Sequence, residues 1–420
     1  MNENKIWRLC DSATLTSRTD SRFKTMKISV NMLLPLTRET AAVYGILPSL
    51  VTRATREYPD FLSLNRRLSE LYGASLSTRV MKLGGFQCLT ISVAGISNRY
   101  AFGKDDMFSE LSGLLFSALF SPLLDEDGCF PEENFRQEQR QLLELKDTEF
   151  SDKITYAHQR CEELLFAGQN AEIDRYGSRT QIAALDRKQV SDAWQEVLSS
   201  ARFEVFTLGD CVPVPELFQK HFSQMGTPRS LSPLPYQKPD GIRRVTEEQA
   251  VSQSKLSLGF RVDSKPEERF LFQLMSAVFG GTPSSKLFQN VRERMGLCYY
   301  CSSNFSIPGR SLYVESGVET ANLEQAEQEI FRQLQMLQAG EITEEELLSA
   351  KLALCNSFRS IRDSLHAMEI WYLGQLLSEN TVTPEQAAEQ VMHYTAAEVV
   401  EAAGRLVPAV VYRLKGRDDG

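Results

Sequence analysis

Histidine is the residue type that this sequence has least of for any hydrolytic chemistry. The 420 residues include four histidines, His158, His221, His366 and His393. A metal site or acid–base pair that needs two histidines close together can therefore be built in very few ways. The sequence also lacks a nucleophile elbow, a phosphate-binding loop and a dinucleotide-binding fingerprint. These absences weigh against a self-sufficient metal-dependent or triad hydrolase.

Long apolar runs and excess positive charge are also missing. No apolar stretch approaches the ~18 residues that would indicate a membrane span, and the residues after Met1 lead into no apolar leader. The formal net charge is −9, whereas nucleic acids and anionic membranes attract basic surfaces. We therefore expect no nucleic-acid partner, no membrane partner and a cytoplasmic location. Apolar residues make up 42% of the chain, enough for a sizeable core.

The eight cysteines are scattered, without the density of a disulfide scaffold, so we expect reduced thiols. Cys298 and Cys301 have C-x-x-C spacing, but the aromatic residues between them favour an extended segment. Regular alternation would point the two sulfurs to opposite faces of a strand. The pattern favours a packing role over redox or zinc chemistry.

A proline-rich stretch divides the chain almost in half. Four prolines lie between Thr227 and Gly241, a density that excludes helix and sheet. We expect an N-terminal domain at 1–225, a linker at 226–241 and a C-terminal domain at 242–420.

The two halves resemble each other in the order of their motifs. Glu70–Gly73 matches Glu293–Gly296, and a strand-like run follows in each half, Leu89–Val93 in the first and Leu312–Ser316 in the second. Each half also ends with a helix followed by a strand. Matches in a shared order indicate a tandem duplication of one domain.

Within each half, periodicity predicts strands next to several helices. Lys27–Leu34 alternates as a strand, Arg38–Arg53 is helical with an interruption at Pro48, and Leu62–Tyr72 is an amphipathic helix. Glu132–Leu165 is predicted as one long helical stretch. This pattern predicts an α+β protein made of two tandem homologous α/β sandwich domains.

The segment from Phe279 to Tyr299 resembles a second-domain segment of the pitrilysin family, which includes insulinase and the mitochondrial processing peptidase. It has a Gly-rich turn, a Ser-Ser-x-Leu-Phe helix start and Arg-Glu-x-x-Gly-Leu-x-Tyr. The resemblance extends from about Lys27 to Leu414 and implies a pitrilysin-like metallopeptidase fold forming half of a clamshell. It also implies that Arg292 and Tyr299 bind substrate and stabilise the reacting carbonyl, roles suited to a guanidinium and a phenol.

The family's zinc motif, His-x-x-Glu-His, is missing. The resemblance places Gly45, Pro48 and Ser49 where the two histidines and the glutamate stand. Glu144 falls near the position of the distal glutamate ligand, but a solvated helix carboxylate is the simpler interpretation. We therefore expect no catalytic residue, no metal ligand and no cofactor in this chain.

Members of this family often work as two-chain assemblies. The resemblance implies an inactive homologue, not an enzyme on its own, that pairs with a zinc-bearing paralogous subunit and contributes binding of a peptide or protein substrate. The segments Thr19–Val30 and Leu71–Ala74 resemble a metal-less bacterial subfamily associated with elongation factor P modification. The alternative is a stand-alone peptide- or protein-binding scaffold without hydrolysis. The substrate, the choice between heterodimer and homodimer and the pathway stay open.

Overall fold

The computed structural model describes residues 5–103, 105–223, 225–376, 378 and 380–417. It is a mixed α/β structure with two sheets, which confirms the predicted fold class. The chain forms two compact units. The first unit contains the residues up to Thr148 together with Ile173–Ser232, and the second contains Glu149–Glu172 and the residues from Pro233 onward.

The first unit is built on a six-stranded sheet. Its strands are β1 (Lys5–Cys10), β2 (Ala13–Thr19), β3 (Thr25–Pro35), β4 (Ser75–Leu83), β5 (Phe86–Ile96) and β6 (Arg202–Gly209). Their order is β1-β2-β6-β3-β5-β4. The pairing of β2 with β6 is parallel, and the other pairings are antiparallel.

The second unit is built on a five-stranded sheet. Its strands are β7 (Arg243–Gln249), β8 (Ser254–Val262), β9 (Cys298–Ser306), β10 (Ser311–Val318) and β11 (Leu406–Gly416). The order is β7-β11-β8-β10-β9, with β7 parallel to β11. This order repeats that of β2-β6-β3-β5-β4, and β1 is the addition in the first sheet. The shared topology supports the tandem repeat inferred from the sequence.

Helices flank both sheets. Those of the first half are α1 (Ala41–Arg53), α2 (Phe61–Glu70), α3 (Met107–Phe120), α4 (Glu132–Thr148), α5 (Lys153–Leu165), α6 (Arg179–Ala183), α7 (Arg187–Ser200) and α8 (Pro215–Phe222). Those of the second half are α9 (Arg269–Ser276), α10 (Leu323–Gln338), α11 (Glu344–Ile361), α12 (Leu365–Leu373), α13 (Pro384–His393) and α14 (Ala396–Gly404).

The core of the first unit lies between its sheet and α1, α3 and α7. Alternate residues of β3, Ile28, Val30 and Met32, are fully buried on one face of the strand. They belong to the same apolar cluster as Leu47 of α1 and Trp194 of α7. The predicted strand Lys27–Leu34 is therefore confirmed as the middle of β3.

Two predictions about helices were wrong. Pro48 does not interrupt α1, since the helix runs through it to Arg53. Glu132–Leu165 is not one helix, because Asp152 caps a new one: its carboxylate accepts hydrogen bonds from the backbone N–H groups of Ile154 and Thr155, both at 3.1 Å. A side chain that satisfies the free donors of a first turn favours a helix start at that point.

The helix that follows this break, α5, packs within the second unit. Ala157, Cys161 and Leu165 lie in an apolar cluster with Tyr412 and Leu414 of β11. The division into compact units thus differs from the predicted boundaries by assigning Glu149–Glu172 to the second unit. The boundaries at 1–225, 226–241 and 242–420 stay a prediction.

Candidate functional site

The segment that resembles the pitrilysin family has unusual helical geometry. Ala277–Gly281 and Leu287–Arg294 both form π-helical turns. The backbone N–H of Met295 donates to the carbonyl of Asn290 at 3.1 Å, five residues earlier. The π-helix is rare and is frequent at functional sites. Two such turns in one short segment therefore mark it as a candidate site.

Gly296 turns the chain from this helix into β9. Its φ of +61° is left-handed, and the N–H of Leu297 then donates to the carbonyl of Val291 at 3.1 Å. Gly73, its counterpart in the first half, also has a left-handed φ of +73°. Glycine adopts this conformation without the steric cost that a Cβ brings, so both glycines serve the same turn before a strand.

Arg292 lies near the end of the second π-helical turn. Its guanidinium carbon is 4.5 Å from the ring centroid of Phe288, and its Nη1 atom is 3.6 Å from Oε1 of Glu293. Its side chain is 39% exposed. The ring orients a guanidinium that still faces solvent, and so Arg292 can receive an anionic or carbonyl oxygen.

Tyr299 lies at a β-bulge near the start of β9. In the ladder with β10, Cys298 is opposite Val318 and Tyr300 is opposite Gly317, so Tyr299 is the extra residue. Its side chain is 60% exposed, and its hydroxyl donates to Oε1 of Glu319 at 3.3 Å. The bulge presents the phenol to solvent, where it can donate to a ligand oxygen instead.

The bulge has no signal in the sequence, and it overturns the prediction that the sulfurs of Cys298 and Cys301 point to opposite faces. Ser316 and Val318, their partners on β10, are two residues apart and share a face. Since the bulge inserts one residue into β9, Cys298 and Cys301 share a face as well. The spacing C-x-x-C alone could not reveal this, because a bulge depends on the register of two strands.

Replacing Gly296 by alanine tests the turn that joins Arg292 to Tyr299. No heavy atom lies within 4 Å of a Cβ built at this position, so the cost is conformational: we expect a loss of about 1–2 kcal/mol in the free energy of unfolding. Gly113→Ala is the matched control, because Gly113 also has open space but lies inside α3, where alanine is favoured by about 1 kcal/mol. Urea unfolding would measure both. Equal effects of the two substitutions would contradict the role given to Gly296.

The position that would carry the first zinc ligand is closed by a ring. A Cβ added to Gly45 would lie 2.9 Å from Cδ1 of Tyr176 and 3.4 Å from the carbonyl oxygen of Arg175. Gly45 and Pro48, which stands at the next position of the zinc motif, are both buried in α1. Tyr176 therefore occupies the space into which a side chain at position 45 would extend, and the chain fits glycine there.

The charged groups on the buried side of α4 are already paired. Glu138 accepts a hydrogen bond from Nη1 of Arg53 at 2.7 Å, and Lys146, with 7% of its side chain exposed, contacts Asp174 at 2.8 Å. Glu144 is exposed on this helix, as expected for a solvated carboxylate. Gly45, Pro48 and Ser49 supply no imidazole or carboxylate, so the residues at this position do not fit a zinc ion.

No cluster of three or more His, Cys, Asp or Glu side chains with metal-binding geometry occurs among the residues that the structure describes. Within the same residues, none of the helices combines the length and apolar character needed to cross a bilayer.

The fold over nearly the whole chain is shared with solved structures described as M16-like peptidases. The family described as "Peptidase M16 inactive domain" matches residues 184–354. The chain is similar to "Probable inactive metalloprotease YmfF" of Bacillus subtilis, with 25% identity over 94% of both chains. An "Uncharacterized zinc protease" of Rickettsia bellii is 27% identical over 37% of this chain and 39% of its own.

Solved structures agree over nearly the full length. A conserved protein from Enterococcus faecalis is 27% identical, with a TM-score of 0.91 and 99% coverage of both chains. A peptidase M16 inactive domain from Pseudomonas fluorescens, at 14% identity, has a TM-score of 0.80 over 99% of this chain and 98% of its own. The chain is thus similar over most of its length to a protein described as a probable inactive metalloprotease, and residues 184–354 match an M16 inactive-domain family.

Proposed function

We propose that this chain is the non-catalytic subunit of a two-chain peptidase, in which a zinc-bearing paralogue carries the metal and this chain contributes Arg292 and Tyr299 to substrate binding. The observation that carries the proposal is the contrast between the substrate-binding segment, which is present, and the zinc position, which is closed. The segment with Arg292 and Tyr299 is intact and exposes both side chains, whereas Tyr176 closes the position of the first zinc ligand.

The geometry suits a peptide carbonyl as the bound group. Cleavage of an amide builds negative charge on the carbonyl oxygen, which a phenol and a guanidinium stabilise when both face it. Arg292 is oriented by Phe288, and Tyr299 now donates to Glu319, an exposed bond that a substrate oxygen can replace. The substrate class is therefore a peptide or an unfolded protein segment.

A direct test reconstitutes the pair. The chain alone and mixed with a paralogue that has His-x-x-Glu-His, sought first in the neighbouring reading frames, would be assayed with zinc and a quenched fluorescent peptide library. We expect turnover only in the mixture and a stable complex of the two chains on size-exclusion chromatography. Stoichiometric zinc together with peptidase activity in the isolated chain would contradict the proposal.

Substitutions in the reconstituted pair test the shared site. Tyr299→Phe and Arg292→Ala should each lower turnover by about tenfold, the value of one lost hydrogen bond of roughly 1.4 kcal/mol, with assembly preserved. Arg294→Ala is the control, because Arg294 is an exposed arginine on the same helical turn and should leave turnover unchanged. If all three variants hydrolyse peptides at the wild-type rate, the shared-site model fails.

The second candidate is a stand-alone binding scaffold without hydrolysis. It is favoured by the position of β9, which lies at the edge of the second sheet and carries Tyr299 on its exposed side. An edge strand can accept an extended peptide as an added strand. Under this candidate, peptides bind to the chain alone, binding weakens in Tyr299→Phe, and no mixture shows turnover.

The placement in the bacterial subfamily associated with elongation factor P modification is the finer part of the proposal. Full-length similarity to the Bacillus subtilis relative supports a bacterial metal-less member, and the segments Thr19–Val30 and Leu71–Ala74 carry the subfamily resemblance. Deleting the gene and measuring the modification state of elongation factor P by mass spectrometry tests it. An unchanged modification state would remove this part while leaving the two-chain peptidase model intact.

A further inference from the structure

The bulge at Tyr299 places two thiols side by side on one face of β9. Cys301 is opposite Ser316 and Cys298 is opposite Val318, and these two partners are neighbours on one face of β10. Across the bulge, the i and i+3 positions of β9 thus become equivalent to the i and i+2 positions of a regular strand. Both cysteines are free thiols in the structure.

The two thiols differ in exposure and acidity in a way that suits them to different tasks. Cys301 is 3% exposed, and Cys298 is half-buried. Hydrogen bonding with the Cys301 side chain, assisted by Ser316 and by the positive charge of Arg292, lowers the pKa of Cys298 to about 7 against the effect of burial. The interaction with Cys298 and burial raise the pKa of Cys301. Near neutral pH, Cys298 is the accessible thiolate and Cys301 the protected thiol beside it.

Other cysteines of the chain lack this combination. Cys161 is fully buried, its thiol donates to the carbonyl of Ser257 at 3.7 Å, and burial raises its pKa. Cys10 is half-buried like Cys298, but its sulfur contacts the hydroxyl of Ser12 at 3.3 Å. Cys161 has the packing role that the sequence predicted for the C-x-x-C pair. Cys10, which is half-buried like Cys298, serves as the comparison thiol.

We propose that Cys298 and Cys301 form a redox-active dithiol, a modification site at which a small disulfide oxidant converts the pair to an intrastrand disulfide. The Cys298 thiolate attacks one sulfur of the oxidant, a mixed disulfide forms, and one oxidant thiolate leaves and takes up a proton. Cys301 then loses its proton and attacks the Cys298 sulfur, which forms the Cys298–Cys301 bond and expels the second thiolate. Two protein thiols are oxidised and one oxidant disulfide is reduced to two thiols. A dithiol reductant reverses the reaction.

This site does not depend on the proposed function, since the chemistry requires only the two thiols. The bridge would nevertheless close a ring that contains Tyr299, so it would also restrict the residue that the bulge presents to solvent.

The test uses the full wild-type chain, which is reduced, desalted and exposed to oxidised glutathione at about pH 7.5. This pH lies close to the pKa of the attacking Cys298 thiol, so a large fraction of it is thiolate. Free thiols are then blocked with N-ethylmaleimide, and the protein is digested with trypsin. Arg294 and Arg310 are the flanking cleavage sites, so one peptide carries Cys298 and Cys301 and no other cysteine. We expect this peptide to lose two hydrogens and to take up no maleimide, and to recover two maleimides after treatment with dithiothreitol.

Single-thiol variants identify the order of attack. Cys301→Ser should trap glutathione on Cys298, whereas Cys298→Ser should leave Cys301 unmodified, and Cys10 should form at most a mixed disulfide in every sample. The rate of Cys298 alkylation should be half-maximal near pH 7 and should move to higher pH in Arg292→Ala. Circular dichroism would confirm that each variant is folded.

Two results would overturn the inference. One is a wild-type chain in which both cysteines of the peptide still take up maleimide after oxidised glutathione while Cys10 is modified. The other is a stable mixed disulfide on Cys298 in the wild type, as in Cys301→Ser, because that would show that Cys301 cannot reach it. The wild-type measurement decides the question even if a variant does not fold.

Discussion

Replacing Arg53 by alanine should lower the free energy of unfolding by about 3–5 kcal/mol, because it leaves Glu138 buried without its counter-charge. Arg53 donates through Nη1 to Glu138 at 2.7 Å and through Nε to Asn134 at 3.1 Å. The side chains of Arg53 and Glu138 are 19% and 9% exposed. Gln137 also accepts a hydrogen bond from this guanidinium. Three side chains of α4, those of Asn134, Gln137 and Glu138, are therefore hydrogen-bonded to Arg53. Urea denaturation would measure the loss.

The same helix offers the control for this experiment. Arg136 contacts Glu132 at 2.8 Å, but both side chains are more than half exposed, so Arg136→Ala should cost at most about 1 kcal/mol. The double variant Arg53→Met/Glu138→Leu removes both charges and should recover most of the loss, as apolar replacements of buried ion pairs do. An Arg53→Ala effect no larger than that of Arg136→Ala would show that the pair does not hold α4 to α1.

Restoring the first histidine of the zinc motif should also be costly. In Gly45→His, the Cβ alone would lie 2.9 Å from Cδ1 of Tyr176, and an imidazole would extend further into the same space. We expect a loss of about 3 kcal/mol, the upper end of the usual range for overpacking. Thermal unfolding would measure it, and Tyr176→Ala in the same chain should return part of the stability by removing the ring.

The full motif, Gly45→His with Pro48→Glu and Ser49→His, should not create a zinc enzyme. The distal candidate Glu144 is exposed, and the buried charges of α4 are already paired. Metal analysis after dialysis should find no stoichiometric zinc, with Ser49→His alone as the control for a single added imidazole. Tight zinc binding by a triple variant of unchanged stability would mean that Tyr176 moves aside freely.

The sequence predicted the fold well because the duplicated pattern depends on local signals. Strand β3 is identified by alternation, and the turns at Gly73 and Gly296 follow from glycine's freedom to adopt positive φ. The fold class and the missing zinc motif were both predictable from these signals and from the family resemblance. The break between α4 and α5 was not, because the Asp152 cap lies within a continuous helical pattern that gives it no distinct signal.

The site was less predictable because its geometry depends on residues far apart in sequence. Position 45 could be identified as lacking a ligand, but not as closed by Tyr176, which is brought there by folding. Arg292 and Tyr299 were candidates by resemblance, and their roles stay predictions. Their contacts with Phe288 and Glu319 are formed only in the folded chain. The bulge that exposes Tyr299 could not be predicted from the sequence of β9 alone, because the register depends on how β9 pairs with β10.

The assignment of Glu149–Glu172 to the second unit has a consequence for the order of folding. The second unit consists of two chain segments separated by Ile173–Ser232, which belong to the first unit. Helix α5 is therefore made early during synthesis, but the strands β8 and β11 that bury its apolar side appear much later in the chain. Closing such a distant contact carries a loop-entropy cost that slows folding. During synthesis, the second unit can therefore complete its fold only after β11 has been made, although its first helix, α5, is made much earlier.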